Sequence, residues 1–161
     1  MTRTLPEGIS VRALHGAELE AALDDVARLR IAVFRDWPYL YDGSREYERE
    51  YLATYRDNPD ALLVGAFHEG RLIGASTSTP MEDHAPEFAA PFRALGIAPE
   101  MILYGAESVL LPEYRGLGVG HAFFDLREAQ VQLPPVQWPG PEIAVASAIS
   151  PSGARAAGQY G

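Results

Sequence analysis

The sequence predicts an α/β fold built on one mixed sheet, and three observations support this prediction. The chain has 161 residues, 47% of them apolar, so it is long enough to bury one substantial core. Short apolar runs that are typical of strands alternate with longer segments whose apolar residues recur at helical spacing. Two adjacent strand-like runs form a hairpin pattern, whereas a later run leads through a glycine-rich loop into a helix. We therefore expect both antiparallel and parallel pairing, within a single domain that covers residues 1–161.

The chain begins with a predicted strand and two predicted helices. Residues 9–14 alternate apolar and polar side chains, as a half-buried strand does. A helix is predicted from residue 17 to about residue 35, because the pair Trp37-Pro38 disfavours helical geometry beyond it. The stripe that this helix would bury consists of Leu19, Leu23, Val26 and Arg30. Asp42 or Ser44 could cap a second helix, on which tyrosines recur every four residues.

The remaining pattern predicts a hairpin followed by alternating helices and strands. Apolar runs at 61–67 and 71–79 flank the turn His68-Glu69-Gly70, which predicts an antiparallel pair. Four prolines between residues 133 and 141 mark a loop. The other predicted elements are a short helix at 88–95, a strand at 102–111, a helix at 119–131, a last strand at 142–149 and a helix start at Ser150-Pro151.

The residue types that the chain lacks exclude several chemistries. Without cysteine there is no thiol nucleophile, disulfide or cysteine-built metal site. Without lysine there is no Schiff-base lysine and no lysine for a nucleotide-binding P-loop. The four histidines include no pair at a spacing of three or four residues, so the sequence predicts no metal site.

The formal net charge of −9 bears on the choice of partners. Acidic surfaces repel the phosphate backbone, so nucleic acid is a poor partner, whereas a cationic acceptor would be attracted. Acidity that serves only solubility is the alternative interpretation. No apolar run approaches the ~20 residues that span a bilayer, and residues 1–6 lack the apolar core of a signal peptide. We therefore expect a cytoplasmic protein with no membrane partner.

The segment from residue 115 to 120, Arg-Gly-Leu-Gly-Val-Gly, is the most informative stretch of the chain. Glycines let the backbone turn tightly and leave its amide N–H groups open to a ligand. The predicted helix that follows adds unpaired N–H groups and a partial positive charge, and Arg115 adds a full one. Together these features predict a pyrophosphate site. A dinucleotide fingerprint fits poorly, because His121 takes the place of its third glycine and the loop follows the fourth strand.

Three residues of this segment match a known signature. Arg115, Gly118 and Gly120 fill the fixed positions of the pattern Arg/Gln-x-x-Gly-x-Gly/Ala. In this pattern, and in the order of its elements from about residue 9 to 149, the chain resembles the GNAT superfamily of acyl-CoA N-acyltransferases. The resemblance implies a GNAT-like fold and transfer of an acetyl group from acetyl-CoA to a small-molecule or protein amine. The family continues with a further helix and two strands that look absent here, and three explanations stay open. The chain could be truncated, a second copy in a homodimer could supply the strands, or the protein could be a shortened member that binds CoA without catalysis.

The resemblance also implies how acetyl-CoA binds. The glycine loop and the start of the following helix would hold the CoA pyrophosphate through backbone N–H groups. The end of the preceding strand would pair with the pantetheine arm, and one of its amides could polarise the thioester carbonyl. The cofactor-binding residues so implied are Val109, Leu110, Leu111, Arg115, Gly116, Leu117, Gly118, Val119, Gly120 and His121.

Two catalytic residues are implied by the same resemblance. In several GNAT subgroups a glutamate on the strand before the loop takes the proton from the amine, and Glu107 has that location. Strand alternation places Glu107 on the same face as Val109 and Leu111. The alternative is a structural glutamate that is paired with an arginine. The family often uses a tyrosine on the next helix to protonate the leaving thiolate, and Tyr160 is the matching residue.

The acceptor site and the class of function leave alternatives open. Aromatic residues around the first two helices, where the family places its acceptor, could line a pocket, or they could serve half-buried packing. They are Trp37, Tyr39, Tyr41, Tyr47, Tyr51 and Tyr55. The leading function is an N-acetyltransferase that uses a general base. An acyl-CoA-binding module with little turnover is the alternative, and an unrelated nucleotide-binding domain explains the glycine segment less well.

Overall fold

A computed structural model of the chain describes residues 4–37, 39–84 and 86–130. The prediction that elements of α/β type follow one another in the stated order is confirmed across this part, with ends that differ by a few residues. The strand predicted at 142–149, the loop before it and Tyr160 lie outside the described residues. The elements are β1 (Ile9–Leu14), α1 (Gly16–Phe34), α2 (Arg45–Asp57), β2 (Leu62–His68), β3 (Arg71–Pro80), α3 (Pro86–Ala94), β4 (Leu103–Leu110) and α4 (Val119–Gln130).

The four described strands form one sheet in the order β1-β2-β3-β4, and every neighbouring pair is antiparallel. The tight turn between β2 and β3 gives the predicted hairpin. Its turn residues Glu69 and Gly70 both have positive φ, of 49° and 79°. The parallel pair that would make the sheet mixed involves the strand predicted at 142–149. Mixed pairing and the single domain over residues 1–161 therefore stay predictions.

The sheet buries a hydrophobic cluster on each face. Because side chains alternate along a strand, Leu63 and Val64 of β2 belong to opposite clusters. One cluster contains the buried residues of α1 and α2, including Leu29 and Leu52. The other contains Val119 and Phe123 of α4. Each fully buried aliphatic or aromatic side chain contributes about 1.5–3 kcal/mol, so the two clusters hold the helices against the sheet.

Local signals explain where α2 begins and what it buries. The Ser44 hydroxyl accepts a hydrogen bond from the Tyr47 N–H at 3.2 Å. Of the two cap candidates that the sequence offered, Asp42 and Ser44, the helix therefore uses Ser44. The buried positions of α2 are Glu48, Leu52 and Tyr55, which lie four and three residues apart on one face. None of the helices in the described ranges is both long and apolar enough to cross a membrane.

A bulge interrupts the pairing of β3 with β4. Glu107 lies opposite Thr77, but the next residue of β3, Ser78, lies opposite Gly105. Ala106 is therefore an extra residue on β4, the strand at one edge of the described sheet. Bulges bend a strand and change the direction of its side chains. This bulge lies immediately before Glu107.

Candidate active site

The glycine loop has the backbone geometry that its sequence predicts. β4 leads through a short turn at Pro112–Tyr114 into the loop. Gly116 has φ 80° and Gly118 has φ 91°, values that residues with a Cβ atom rarely adopt. The two glycines are thus required for the path of the chain between strand and helix. The side chains of Arg115 and Leu117 are exposed beside this path.

The loop opens into the first turn of α4, where backbone donors gather. The first helical hydrogen bond runs from the Ala122 N–H to the Gly118 carbonyl, at 3.2 Å. The N–H groups of Val119 and Gly120 precede this bond at the positive end of the helix. A Cβ atom added at Gly116 or Gly120 would meet no atom of the described residues within 4 Å, apart from its chain neighbours and the backbone of its own helix. The described part of the chain therefore leaves space at this turn, which a pyrophosphate group could occupy.

The end of β4 offers one backbone amide that points away from its neighbour β3. The Leu111 N–H donates to the Ile73 carbonyl at 3.0 Å, so this amide is used in the sheet. Antiparallel pairing alternates between hydrogen-bonded and non-bonded pairs, so the Leu110 N–H faces the edge of the described sheet. The Leu110 carbonyl accepts a hydrogen bond from Arg115 Nε at 3.3 Å. Of the three residues predicted to contact pantetheine, Leu110 therefore has the amide best placed to do so.

Glu107 is paired with a buried arginine. Its Oε1 contacts Nη1 of Arg30, and Nε of the same arginine contacts Oε2 of Glu48. The exposed fractions of the three side chains are 16% for Glu107, 8% for Arg30 and 0% for Glu48. One guanidinium on α1 therefore serves a carboxylate on β4 and another on α2. Arg30 is thus an arginine partner of the kind expected if Glu107 is a structural residue rather than a base. The structure also places Glu107 on the α1 face together with Val109, as alternation predicts.

Tyrosines surround this ion cluster. The guanidinium carbon of Arg30 lies 4.2 Å from the centre of the Tyr51 ring, and the Tyr51 and Tyr55 hydroxyls are 3.0 Å apart. The Tyr41 hydroxyl donates to Glu48 Oε1 at 2.9 Å. Burial and the hydrogen bond to Glu48 raise the pKa of Tyr41 to about 12, and burial also raises the pKa of Tyr51. Both phenols therefore stay protonated at neutral pH.

A shallow depression of about 280 Å³, largely open to solvent, lies beside this cluster, where the chain passes from α1 to α2. Its lining residues are Tyr41, Asp42, Gly43, Ser44 and Tyr47. Of the predicted aromatic set, Tyr41 and Tyr47 line the depression, whereas Tyr51 and Tyr55 pack against Arg30 and each other. Trp37 and Tyr39 are strongly exposed, at 76% and 66%. Tyr51 and Tyr55 therefore serve packing, whereas the other aromatic residues of the predicted set lie at the surface.

The sequence pattern missed Glu48, and the structure shows which signal could have identified it. Glu48 lies on the same helical face as Leu52 and Tyr55, which are buried. A carboxylate at a core-facing position requires a positive partner. Arg30, on the predicted apolar stripe of α1, carried the matching signal. In the parts of the chain that the structure describes, no group of three or more histidine or acidic side chains could hold a metal. Tyr160, the predicted acid, lies outside those parts.

Replacing the shared arginine should destabilise the protein strongly. In Arg30→Met, two carboxylates lose their cation, one of them without exposed surface. Breaking a buried pair in this way costs about 3–5 kcal/mol of unfolding free energy. Arg49→Met is the matched control, because Arg49 also pairs with an acid across α1 and α2, namely the exposed Asp24. This pair should contribute only about 0–1 kcal/mol. Urea unfolding at neutral pH measures both, and equal losses would contradict the buried network.

The Tyr41 hydrogen bond should make stability depend on alkaline pH. The pKa of Tyr41 is raised from its ordinary value of 10.0 to about 12 in the folded protein, so the protonated phenol is favoured by folding. The resulting stabilisation is complete below pH 10 and is lost as the pH rises toward 12. Tyr41→Phe should therefore be less stable than wild type at pH 8, and the difference should shrink through this window. Tyr39→Phe, at an exposed tyrosine, is the control. A difference that stays constant with pH would exclude the proposed linkage.

Comparison with known proteins gives the fold. No family model matches the chain, and no curated protein sequence matches it. Among solved structures, aminoglycoside 6'-N-acetyltransferase AAC(6')-Ih from Acinetobacter baumannii is 16% identical, with a TM-score of 0.62 over 94% of this chain and 88% of that chain. AAC(6')-Iy, in complex with the bisubstrate analogue CoA-S-monomethyl-acetylneamine, is 14% identical, with a TM-score of 0.60 over 94% and 87%.

A protein-modifying enzyme has the same architecture. The ribosomal-protein-alanine N-acetyltransferase from Brucella melitensis biovar Abortus 2308 is 18% identical, with a TM-score of 0.51 over 77% of this chain and 73% of that chain. At such identities the likeness concerns the fold, and function must be argued from the site. The chain has the fold of GNAT-type N-acetyltransferases, as its glycine segment and element order predict.

Proposed function

We propose that the protein is an N-acetyltransferase that moves an acetyl group from acetyl-CoA to a primary amine. The observation that carries the proposal is the loop from Arg115 to Gly120. It combines two glycines at positive φ, open space at Gly116 and Gly120, and the first turn of α4. The fold adds support, because structural neighbours include an acetyltransferase bound to a CoA-based bisubstrate analogue.

The loop would bind the pyrophosphate of CoA. Backbone N–H groups of Gly118, Val119, Gly120 and His121 are placed at the positive end of α4 for this contact. The exposed guanidinium of Arg115 supplies a full charge at the rim. Gly116 and Gly120 supply the room for phosphate oxygens, since neither position is filled by another side chain.

The acetyl end of the cofactor would lie along β4. A pantetheine arm running beside Leu110 would find a backbone amide directed toward it, as strand-like pairing requires. An amide aimed at the thioester oxygen would stabilise the negative charge that develops there during attack. Buried Val109, on the opposite face to α4, fixes the strand against the core and so fixes this amide.

Glu107 is the group that we assign as general base. The ammonium form of the acceptor first loses one proton to solvent, and the lone pair of the neutral amine then attacks the thioester carbonyl carbon. The carbon–sulfur bond breaks, and the proton that the nitrogen loses as the amide forms passes to the Glu107 carboxylate. Because Oε1 of Glu107 contacts Arg30, we assign Oε2 as the proton acceptor. The leaving thiolate takes a proton from solvent or from an acid, for which the family resemblance proposes Tyr160.

The acceptor is proposed to be a small, positively charged amine. The depression at the start of α2 is lined by Tyr41 and Tyr47, whose rings can contact an ammonium group, and by Asp42. The exposed carboxylate of Asp42 lies 3.7 Å from an Arg35 nitrogen, in an exposed ion pair that an ammonium group would have to share or replace. The overall charge of −9 would also attract such a ligand. Two structural neighbours, AAC(6')-Ih and AAC(6')-Iy, are named as aminoglycoside N-acetyltransferases. A protein amine is the alternative, as in the ribosomal-protein-alanine enzyme.

One observation favours the second function, an acyl-CoA-binding module with little turnover. The ion pair with Arg30 occupies one oxygen of Glu107 and leaves its side chain only 16% exposed. A carboxylate held in this way can serve the structure alone. This candidate shares the CoA loop with the first, so acetyl-CoA binding does not separate the two, whereas a measurement of turnover does.

Filling the open space at the first turn of α4 should block CoA binding without harming the fold. In Gly120→Leu the new side chain meets no protein atom at its Cβ, and leucine is favoured over glycine in a helix by about 0.5–1 kcal/mol. We therefore expect equal or higher thermal stability together with at least tenfold weaker binding of acetyl-CoA. Gly120→Ala should give a smaller loss in the same direction. Isothermal titration with acetyl-CoA, with NAD and ATP as control ligands, measures both. Unchanged affinity in Gly120→Leu would place the cofactor elsewhere.

Removing the carboxylate should separate turnover from binding. In Glu107→Gln the shape is retained but the base is lost, so kcat should fall by about 10²-fold while acetyl-CoA affinity is preserved. Glu113→Gln, at an exposed glutamate in the turn before the loop, is the matched control and should leave kcat unchanged. The measurement is acetyl transfer to a panel of small amines. Undiminished turnover in Glu107→Gln would make Glu107 structural, whereas binding without turnover in wild type would favour the second candidate.

A further inference from the structure

Arg127, on the last turns of α4, contacts the bulge of β4 from the face opposite to Arg30. Its Nη2 donates to the Glu107 carbonyl at 2.8 Å and to the Thr77 carbonyl at 3.2 Å. The same nitrogen is 3.0 Å from the Ser108 hydroxyl and also contacts the Ser76 hydroxyl. The main chain at Glu107 is therefore held by a side chain of the helix that carries the cofactor loop.

Small residues on β3 and β4 leave space for the guanidinium of Arg127. A Cβ atom at Gly105 would lie 2.9 Å from Arg127 Nη1, so the glycine at the bulge leaves the space that the arginine fills. The hydroxyls of Ser76 and Ser108 are 2.9 Å apart and lie side by side beneath it. Small and hydroxyl-bearing residues thus line the contact on both strands.

Among the side chains that the structure describes, no ion pair explains the charge of Arg127. No acidic side chain within residues 4–37, 39–84 and 86–127 forms a salt bridge with it. Burial lowers the pKa of Arg127, which shows that the site disfavours the cation. An apolar side chain would avoid this cost. What arginine supplies instead is a set of donors to carbonyl and hydroxyl groups gathered at the bulge.

The position of Arg127 along α4 connects the two parts of the proposed site. Val119 begins the helix at the glycine loop, and Arg127 follows eight residues later, about 12 Å along the axis at 1.5 Å per residue. Val119 and Phe123 bury the intervening helix face against the sheet. The helix is thus attached at both ends, with the cofactor loop at one and the Glu107 main chain at the other.

We propose that Arg127 is a positioning residue that sets the main chain of Glu107 relative to the CoA loop. This inference rests on the proposed acetyl transfer with Glu107 as base. Arg127 touches no reacting atom; it acts through the carbonyl of Glu107 and the bulge that aims the carboxylate toward Arg30. Loss of its donors leaves the loop and the first turn of α4 intact but allows the strand that carries the base to shift.

The test compares Arg127→Met, which keeps the length of the side chain and removes its donors, with Arg127→Lys, which restores one donor group. For Arg127→Met we expect acetyl-CoA affinity within about twofold of wild type and a kcat at least tenfold lower, with Arg127→Lys recovering part of the loss. Amide hydrogen exchange should become faster in residues 103–110 and stay unchanged in β1. Arg93→Met, at an exposed arginine of α3, is the control for loss of charge.

A second variant perturbs the contact without removing Arg127. Gly105→Ala places a methyl group against the end of the guanidinium and should lower kcat in the same direction by a smaller factor. Unchanged kcat and exchange in Arg127→Met would overturn the inference, as would a loss of kcat matched by an equal loss of acetyl-CoA binding. If wild type transfers acetyl to no amine, the proposed function fails. Hydrogen exchange in residues 103–110 then decides the role of Arg127 by itself.

Discussion

The sharing of one buried guanidinium between two carboxylates is the constraint on which the candidate site depends. Arg30 belongs to α1, Glu48 to α2 and Glu107 to β4, so the three charges join both helices to the strand that precedes the glycine loop. A buried ion without its partner costs several kcal/mol, so α1 and α2 must pack in a register that brings the charges together. Replacing a whole buried ion cluster by apolar residues of similar volume is often neutral for stability, whereas removing one partner is costly. The Tyr51 ring packs against the guanidinium of Arg30 and covers one of its faces.

Two arginines hold the same residue from opposite faces of the sheet. Arg30 contacts the carboxylate of Glu107, whereas Arg127 donates to its carbonyl oxygen. A carbonyl oxygen has two lone pairs, so this one can accept from Arg127 in addition to a donor of the sheet. The bulge lies immediately before Glu107, and bulges change the direction of the side chains beside them. The edge strand therefore depends on helices of both layers for its position, and the geometry of the proposed base is set by side chains that are distant in sequence.

The sequence predicted most elements of residues 4–130, but it predicted the ion cluster only in part. Spacing of apolar residues sufficed for α1, the hairpin and α4, because these patterns are local and each has one buried face. Cap chemistry narrowed the start of α2 to Asp42 or Ser44, of which the structure shows Ser44, and turn chemistry identified Gly118. The partner of Glu107 could not be identified, because thirteen basic residues offered candidates and the choice among them is made by tertiary packing. The spacing of four residues correctly placed the tyrosines of α2 on one face of the helix. It did not show which of them are buried.

The charge balance of the cluster bears on how a paired carboxylate could act as a base. Arg30 contributes one positive charge, whereas Glu48 and Glu107 contribute two negative charges, so the cluster has one excess negative charge. If Glu107 accepts the proton of the amine, the cluster becomes neutral and Arg30 remains compensated by Glu48. With a single carboxylate, protonation would instead leave the buried guanidinium unpaired, which is costly. The hydrogen bond from Tyr41 keeps Glu48 in place for that role. The second carboxylate is thus the feature that makes the ion pair of Glu107 compatible with proton transfer.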